Sequence, residues 1–226
     1  MSTILLLAAM AEETAPFLAG HEFTEVETRH GRAWRLDDGD RTIVLTTCGI
    51  GLVNSAASAA LAIQTWEPDQ IISVGSAGGL GVDVRVGDII VGDTYRYADA
   101  DTTIFGYEYG QVPSMPAFYV GDDALLALVR EDAADTTVHV GEIVSGNSFV
   151  AGDITPVVRK RFPKALAADM ESTAIAQIAH GFGVPFICVR SISDLCAPSA
   201  GDDFKDNIDD VAARSAAAVW RLIEKL

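Results

Sequence analysis

Two carboxylates in awkward places mark residues 168–194, ADMESTAIAQIAHGFGVPFICVRSISD. Glu171 heads an alanine-rich helical pattern directly after a short apolar run, so its side chain projects from a strand-to-helix junction. Asp194 follows the β-branched run 186–192, fit for a buried strand, and precedes a small polar loop. Acids bracketed in this way are part-buried, which is costly without a role or a partner. Arg190, inside the last of these strands, is the candidate partner. Glu13, Ser76 and Phe149 also fall at the ends of expected strands, giving a carboxylate-rich pocket with one aromatic plate. Acids sharing a small cleft can be driven to different protonation states, one neutral as a general acid and another ionised as a base. That pairing suits cleavage of a glycosidic bond, in which the leaving group is protonated while water is activated on the opposite face of an oxocarbenium-like sugar. Phe149 could stack on a planar base. Taken singly, each has an ordinary explanation: Glu13 as a charge at a helix N-terminus, Ser76 as a turn former, Phe149 as a core residue.

The elements that must position these groups alternate between strand and helix patterns. Residues 4–11 read as a buried first strand; a secretory signal would need a basic leader, and this run continues straight into Glu12-Glu13. A short helix over 12–18 follows, then a meander of strands over 23–48 around the turn Asp38-Gly39-Asp40, so the sheet should be mixed. Gly49-Ile50-Gly51 opens a helix of small residues to Trp66 but lacks the third glycine and the distant acid of a dinucleotide loop. The strand 70–74 leads into a glycine loop, 75–81, that shapes a pocket floor, and 82–91 alternates like extended chain. Residues 95–119 form an aromatic, proline-bearing excursion of the kind that serves as a binding loop or an interface. A helix over 122–131, a strand over 138–144, a polar loop from Ser145 and a short basic-ended helix over 154–161 come next. The closing amphipathic helix, 204–226, presents Ala212, Ala216, Val219, Leu222 and Ile223 on one face. Glu171 and Asp194 are thereby expected in neighbouring loops at the C-terminal ends of strands, the edge where open α/β sheets bind ligands.

With 226 residues, 49% of them hydrophobic, and no linker-like stretch, the chain reads as one domain over 1–226. The net charge of −16 argues against nucleic acid or anionic membrane as a partner. No stretch approaches the roughly 20 apolar residues of a membrane span. A mean hydropathy of +0.25 is high for so acidic a chain and hints at apolar surface covered by another subunit. Cys48, Cys188 and Cys196 show no paired spacing and the four histidines are scattered, so neither a disulfide framework nor a metal site is expected, and a reducing cytoplasm fits. Composition and spacing by themselves reach a small-molecule α/β enzyme using carboxylates.

The motifs Met10-Ala11-Glu12-Glu13, Gly49-Ile50-Gly51, Gly75-Ser76-Ala77-Gly78-Gly79, Val86-Gly87-Asp88, Ser145-Gly146, Asp169-Met170-Glu171 and Ser191-Ile192-Ser193-Asp194 occur in order along nearly the whole chain. With the more specific segment 105–113, FGYEYGQVP, they resemble the 5'-methylthioadenosine/S-adenosylhomocysteine nucleosidases of the purine nucleoside phosphorylase/hydrolase superfamily. The resemblance implies a three-layer α/β/α sandwich around a mixed, partly barrel-like central sheet, and hydrolysis of the N-glycosidic bond of methylthioadenosine, adenosylhomocysteine and 5'-deoxyadenosine without a cofactor. It implies that Asp194 protonates purine N7 and that Glu13 activates the water, with Ser76, Arg190 and Glu171 fixing water and ribose. Met170 and Glu171 would contact the ribose, Phe149 and the backbone of Val150 the adenine, and Ser193 would steady Asp194. Met10, Ile50, Phe105 and Pro113 would line the 5'-alkylthio site, Phe105 and Pro113 arriving from the partner of a homodimer.

Three positions depart from that pattern: Ala11 where an acid is common, Asn147 where the loop usually reads S-G-D, and Asp169 where V-E-M-E is usual. They bear on affinity and on the preference between methylthioadenosine and the bulkier homocysteine nucleoside; a related hydrolase acting on a futalosine-type nucleoside is a further alternative. A phosphorylase of the same superfamily is the nearest rival. It needs a cationic anion site, whereas the early loop here carries acids and no base, so a phosphate dianion meets like charge; Arg96 and Arg190 are the cations that keep it open. A noncatalytic nucleoside sensor is the other rival, but it could lose an acid without penalty, and Glu13, Glu171 and Asp194 are all present.

Overall fold

Apolar runs flanked by glycine and polar turns fold here into strands, and the small-residue runs between them into helices. The computed structural model describes residues 2–131 and 137–226. In chain order the elements are β1 Ser2–Ala8, α1 Ala11–Gly20, β2 Thr24–Val26, β3 Arg32–Asp38, β4 Arg41–Thr47, α2 Leu52–Trp66, β5 Gln70–Gly79, β6 Ile89–Tyr97 and β7 Tyr119–Val120. They continue with α3 Asp123–Glu131, β8 Val138–Ser145, α4 Thr155–Arg161, β9 Ala165–Asp169, α5 Ser172–Phe182, β10 Phe186–Asp194 and α6 Ala200–Ile223.

The sheet runs β10-β6-β8-β9-β5-β1-β4-β3-β2, and a further pairing of β10 with β5 closes five of these strands on themselves. The result is the mixed, partly barrel-like sheet of an α/β fold. Strands β4, β1, β5 and β10 are parallel, while β6, β8 and β9 run the other way. One face packs against α2 and α5, the other against α1, α3 and α6. The apolar face of α6, from Ala212 to Ile223, is buried as expected. Each fully buried Val, Leu or Ile there is worth about 1.5–3 kcal/mol.

Three readings of the sequence are corrected. Residues 75–79 are not a loop: β5 continues to Gly79, its glycines marking close approach to other groups inside a strand. The alternation over 82–91 becomes strand only at Ile89, because 82–88 turns sharply with Gly87 at φ +87°. The closing helix begins at Ala200, not at residue 204, so the segment after Asp194 is short and its far side helical.

The two acids also meet for a reason other than a shared parallel edge. β9 pairs antiparallel with β5, and only through Gly78↔Ala168 and Gly79↔Ala167. The C-terminal ends of β9 and β5 therefore overlap, and β10, parallel to β5, delivers Asp194 to the same place opposite Gly78. Closure of the barrel brings Glu171 and Asp194 together from strands of opposite direction.

Candidate active site

A cavity of ≈ 280 Å³ opens where these strand ends converge. Its walls include Met10, Glu13, Ile50, Ser76, Phe149 and Val150, together with Met170, Glu171, Arg190, Ser193 and Asp194. Eleven of the thirteen residues singled out from sequence thus share one site. Phe105 and Pro113 do not line it; Phe105 is 75% exposed at the tip of the excursion.

Glu13 sits in the first turn of α1, where its charge favours the helix, yet it is buried and points into the cavity. One oxygen accepts from the backbone N–H of Ala9 (2.8 Å) and Met10 (3.3 Å), the other from the N–H (2.8 Å) and hydroxyl (3.0 Å) of Ser76. The helix-terminal and pocket readings of Glu13 are therefore both true of one side chain. Gly75 makes room for it: a Cβ at that position would lie 2.2 Å from Glu13 Oε1.

Arg190 is the hub, 1% exposed. Its Nε lies 3.2 Å from Asp169, Nη2 3.4 Å from Glu171 and Nη1 3.8 Å from Glu13. Nη2 donates to Ser73 Oγ (3.0 Å) and Nη1 to the carbonyl of Ser76 (3.2 Å). Three carboxylates around one guanidinium leave the buried cluster net negative. The Glu171 carboxyl, which accepts from Gly51 N–H at 3.0 Å, is pushed up to about 7. Burial is the largest cause; Arg190 pulls against it, and the neighbouring Asp169 and Glu13 add to it.

Asp194 ends β10. Its Oδ1 accepts from Cys196 N–H and its Oδ2 from Ser193 Oγ, both at 2.9 Å. Burial raises its pKa above the ordinary carboxylate value; those two hydrogen bonds oppose the shift and Asp203 adds to it. A carboxyl biased toward the neutral form thus faces the cavity from one side, and the hydrogen-bonded carboxylate of Glu13 from another.

Phe149 is 43% exposed and meets Phe204 edge-on, with ring centroids 6.1 Å apart at 77°. It is a wall of the cavity and not a core residue. Asn147, in the same loop, accepts from Leu52 N–H at 3.0 Å and ties that loop to the start of α2.

Sequence reasoning missed Asp169, Cys196 and Phe204 as wall residues. Asp169 stood out only as a departure from a motif. Phe204 was hidden by the misplaced start of α6, and nothing in the spacing around Cys196 marks it. Among the described residues no group of three or more His, Cys, Asp or Glu is placed to hold a metal ion. Nor is any helix long and apolar enough to cross a membrane.

Residues 3–224 match the family model described as the phosphorylase superfamily. The chain is 39% identical over 208 residues, covering 91% of each chain, to the 5'-methylthioadenosine/S-adenosylhomocysteine nucleosidase of Staphylococcus aureus strain JH9. Its structure superposes with a TM-score of 0.95 on the S-adenosylhomocysteine nucleosidase of Streptococcus pyogenes in complex with 5-methylthiotubericidin, at 35% identity over 100% of this chain and 97% of that one. The Neisseria meningitidis 5'-methylthioadenosine/S-adenosylhomocysteine nucleosidase with methylthio-immucillin-A gives a TM-score of 0.95 at 34% identity over the full length of both chains. The chain belongs to the phosphorylase superfamily and, within it, to the 5'-methylthioadenosine/S-adenosylhomocysteine nucleosidase family.

Proposed function

We infer that this chain hydrolyses the N-glycosidic bond of 5'-methylthioadenosine and S-adenosylhomocysteine, releasing adenine and the 5'-thioribose. Among the described residues lining the cavity, Arg190 is the one cation, and it is buried and engaged by three carboxylates. This observation carries the choice of water over phosphate, since a phosphate dianion entering the cavity finds no free positive charge and several negative ones. It disfavours the phosphorylase reading.

In the proposed reaction Asp194, neutral in the working complex, donates its proton to purine N7. The C1'–N9 bonding pair leaves with adenine, and positive charge grows on the ribosyl ring. Glu171, with Met170 beside it, holds the ribose hydroxyls, and its ionised form stabilises that charge. Water held by Glu13, with Ser76 and Arg190 fixing its surroundings, attacks C1' and gives its proton to Glu13. Asp194 ends as carboxylate and Glu13 as acid, and solvent exchange resets both. Phe149 stacks on the base, the backbone of Val150 reads its edge, and Ser193 holds Asp194. Met10 and Ile50 line the 5' end.

Phe105 and Pro113 complete that 5' wall in a homodimer, each contributed by the partner. The support is an exposed phenylalanine beside an 87%-exposed Ile104 on an excursion braced by its own hydrogen bonds, Gly110 N–H to the Ala100 carbonyl at 2.8 Å among them. Exposed apolar groups on a rigid support are what an interface covers. The three unpaired, buried cysteines suit a cytoplasmic enzyme.

The test is adenine release from 5'-methylthioadenosine in phosphate-free buffer, repeated with phosphate. Adenine with free methylthioribose in the absence of phosphate supports the hydrolase. Turnover only with phosphate, yielding a sugar 1-phosphate, overturns it.

A further inference from the structure

Asp169 is assigned no step in the reaction above, yet both of its oxygens are fully used. Oδ1 accepts from Ser145 Oγ (2.5 Å), Ser172 N–H (3.2 Å) and Glu171 N–H (3.3 Å). Oδ2 accepts from Ser172 Oγ and pairs with Arg190 Nε at 3.2 Å. One short side chain therefore ties the end of β8, the first turn of α5 and the guanidinium of β10. We propose that Asp169 is a positioning residue that locks Arg190 in the orientation it presents to Glu13 and Glu171 and supplies the third negative charge of the buried cluster. The proposal rests on the nucleosidase reading.

The donor pattern makes the position exacting. Backbone N–H groups face Oδ1 and Arg190 Nε faces Oδ2, and neither can turn round to accept a hydrogen bond. An amide at this position presents its NH2 to an obligatory donor whichever way it is flipped, so an isosteric Asp169→Asn still dislodges Arg190. It also removes a like charge from beside Glu171. The charged and titratable groups facing Glu171 are Arg190 from β10, Asp169 from β9, Glu13 from α1 and the Cys48 thiol between β4 and α2. That thiol is pushed far up by burial first and by Glu171 second, so it stays neutral. Loss of Asp169's charge, with Arg190 released toward its two remaining partners, makes Glu171 ionise more easily.

The experiment is the pH profile of kcat/KM for 5'-methylthioadenosine in wild type, Asp169→Asn and Asp169→Glu. The acid limb set by Glu171 is expected to move to lower pH by about one unit in Asp169→Asn, with kcat reduced at least about tenfold. Asp169→Glu, which keeps the charge, should leave the limb in place. A purely structural loss would lower the rate at every pH without moving the limb, and an unmoved limb in folded Asp169→Asn overturns the proposal. If that variant does not fold, Asp169→Ser carries the same test, because a hydroxyl can accept from Arg190 and the backbone N–H groups without carrying a charge. A limb moved to lower pH in the folded variant supports the proposal, and an unmoved limb overturns it. Wild type that releases no adenine would sink the nucleosidase reading instead, so the two failures are distinct.

Discussion

Replacing Asp194 by asparagine removes a proton while leaving almost every contact in place. Oδ1 keeps its bond from Cys196 N–H. The new amide NH2 donates to Ser193 Oγ, whose own hydrogen turns to the carbonyl of Ala77, 3.3 Å away. No buried polar group is orphaned, so stability should change by less than about 1 kcal/mol. The NH2 can also still donate to purine N7, so substrate should bind. What is lost is transfer of the proton as C1'–N9 breaks, and a positioned general acid contributes about 10²–10⁴-fold, or about 3–5 kcal/mol of barrier. The assay is adenine release under single-turnover and steady-state conditions beside thermal melting of the same preparation. The expected variant is folded, binds 5'-methylthioadenosine with near-native affinity and turns over at least about 10²-fold more slowly. A folded Asp194→Asn with kcat within tenfold of wild type would refute the assignment of the proton to this group.

The other expectations are narrower. Glu13→Gln should lose turnover by about 10²-fold or more, because an amide cannot take the proton of the attacking water, and should also melt lower, because its NH2 must face the N–H of Ala9 and Met10 or that of Ser76; retained turnover moves the base elsewhere. Gly75→Ala places a methyl 2.2 Å from Glu13 Oε1 at φ +141°, so both activity and denaturant midpoint should fall, the latter by about 1–3 kcal/mol of stability, and a native-like variant contradicts the geometry of this pocket. Glu171, raised from 4.5 to about 7, binds its proton more tightly folded than unfolded, so its contribution to stability is full below pH 4.5 and is lost as pH rises through about 7. Melting temperatures of Glu171→Gln between pH 5 and 9 should accordingly decline less than those of wild type, and parallel curves would show that Glu171 does not titrate in this window.

The preference for water over phosphate is an electrostatic statement about a cluster and not about any one residue. Arg190 would serve an anion well if it were exposed with one carboxylate beside it. Buried beneath Glu13, Asp169 and Glu171, it is spent on holding them. The same excess of negative charge opposes ionisation of Glu171 in the free protein and favours growth of positive charge on a ribosyl ring.

Much of this protein is legible in its sequence because local rules govern it. The apolar runs of β1, β5 and β10, the small-residue helices α2 and α5 and the antiparallel meander β2–β4 follow from hydrophobic period and turn chemistry, which act over a few residues. The acids at Glu13, Glu171 and Asp194 stood out because each interrupts a pattern that buries its neighbours. Tertiary structure alone decided the rest. The glycines of 75–79 read as a loop because glycine usually breaks strands, and only the approach of Glu13 and Cys196 explains why a strand requires them there. Asp169 looked like a motif variant because its five partners come from three separate elements, β8, α5 and β10. The meeting of Glu171 with Asp194 depends on the closure of β10 onto β5, a pairing of segments more than a hundred residues apart that no local periodicity encodes.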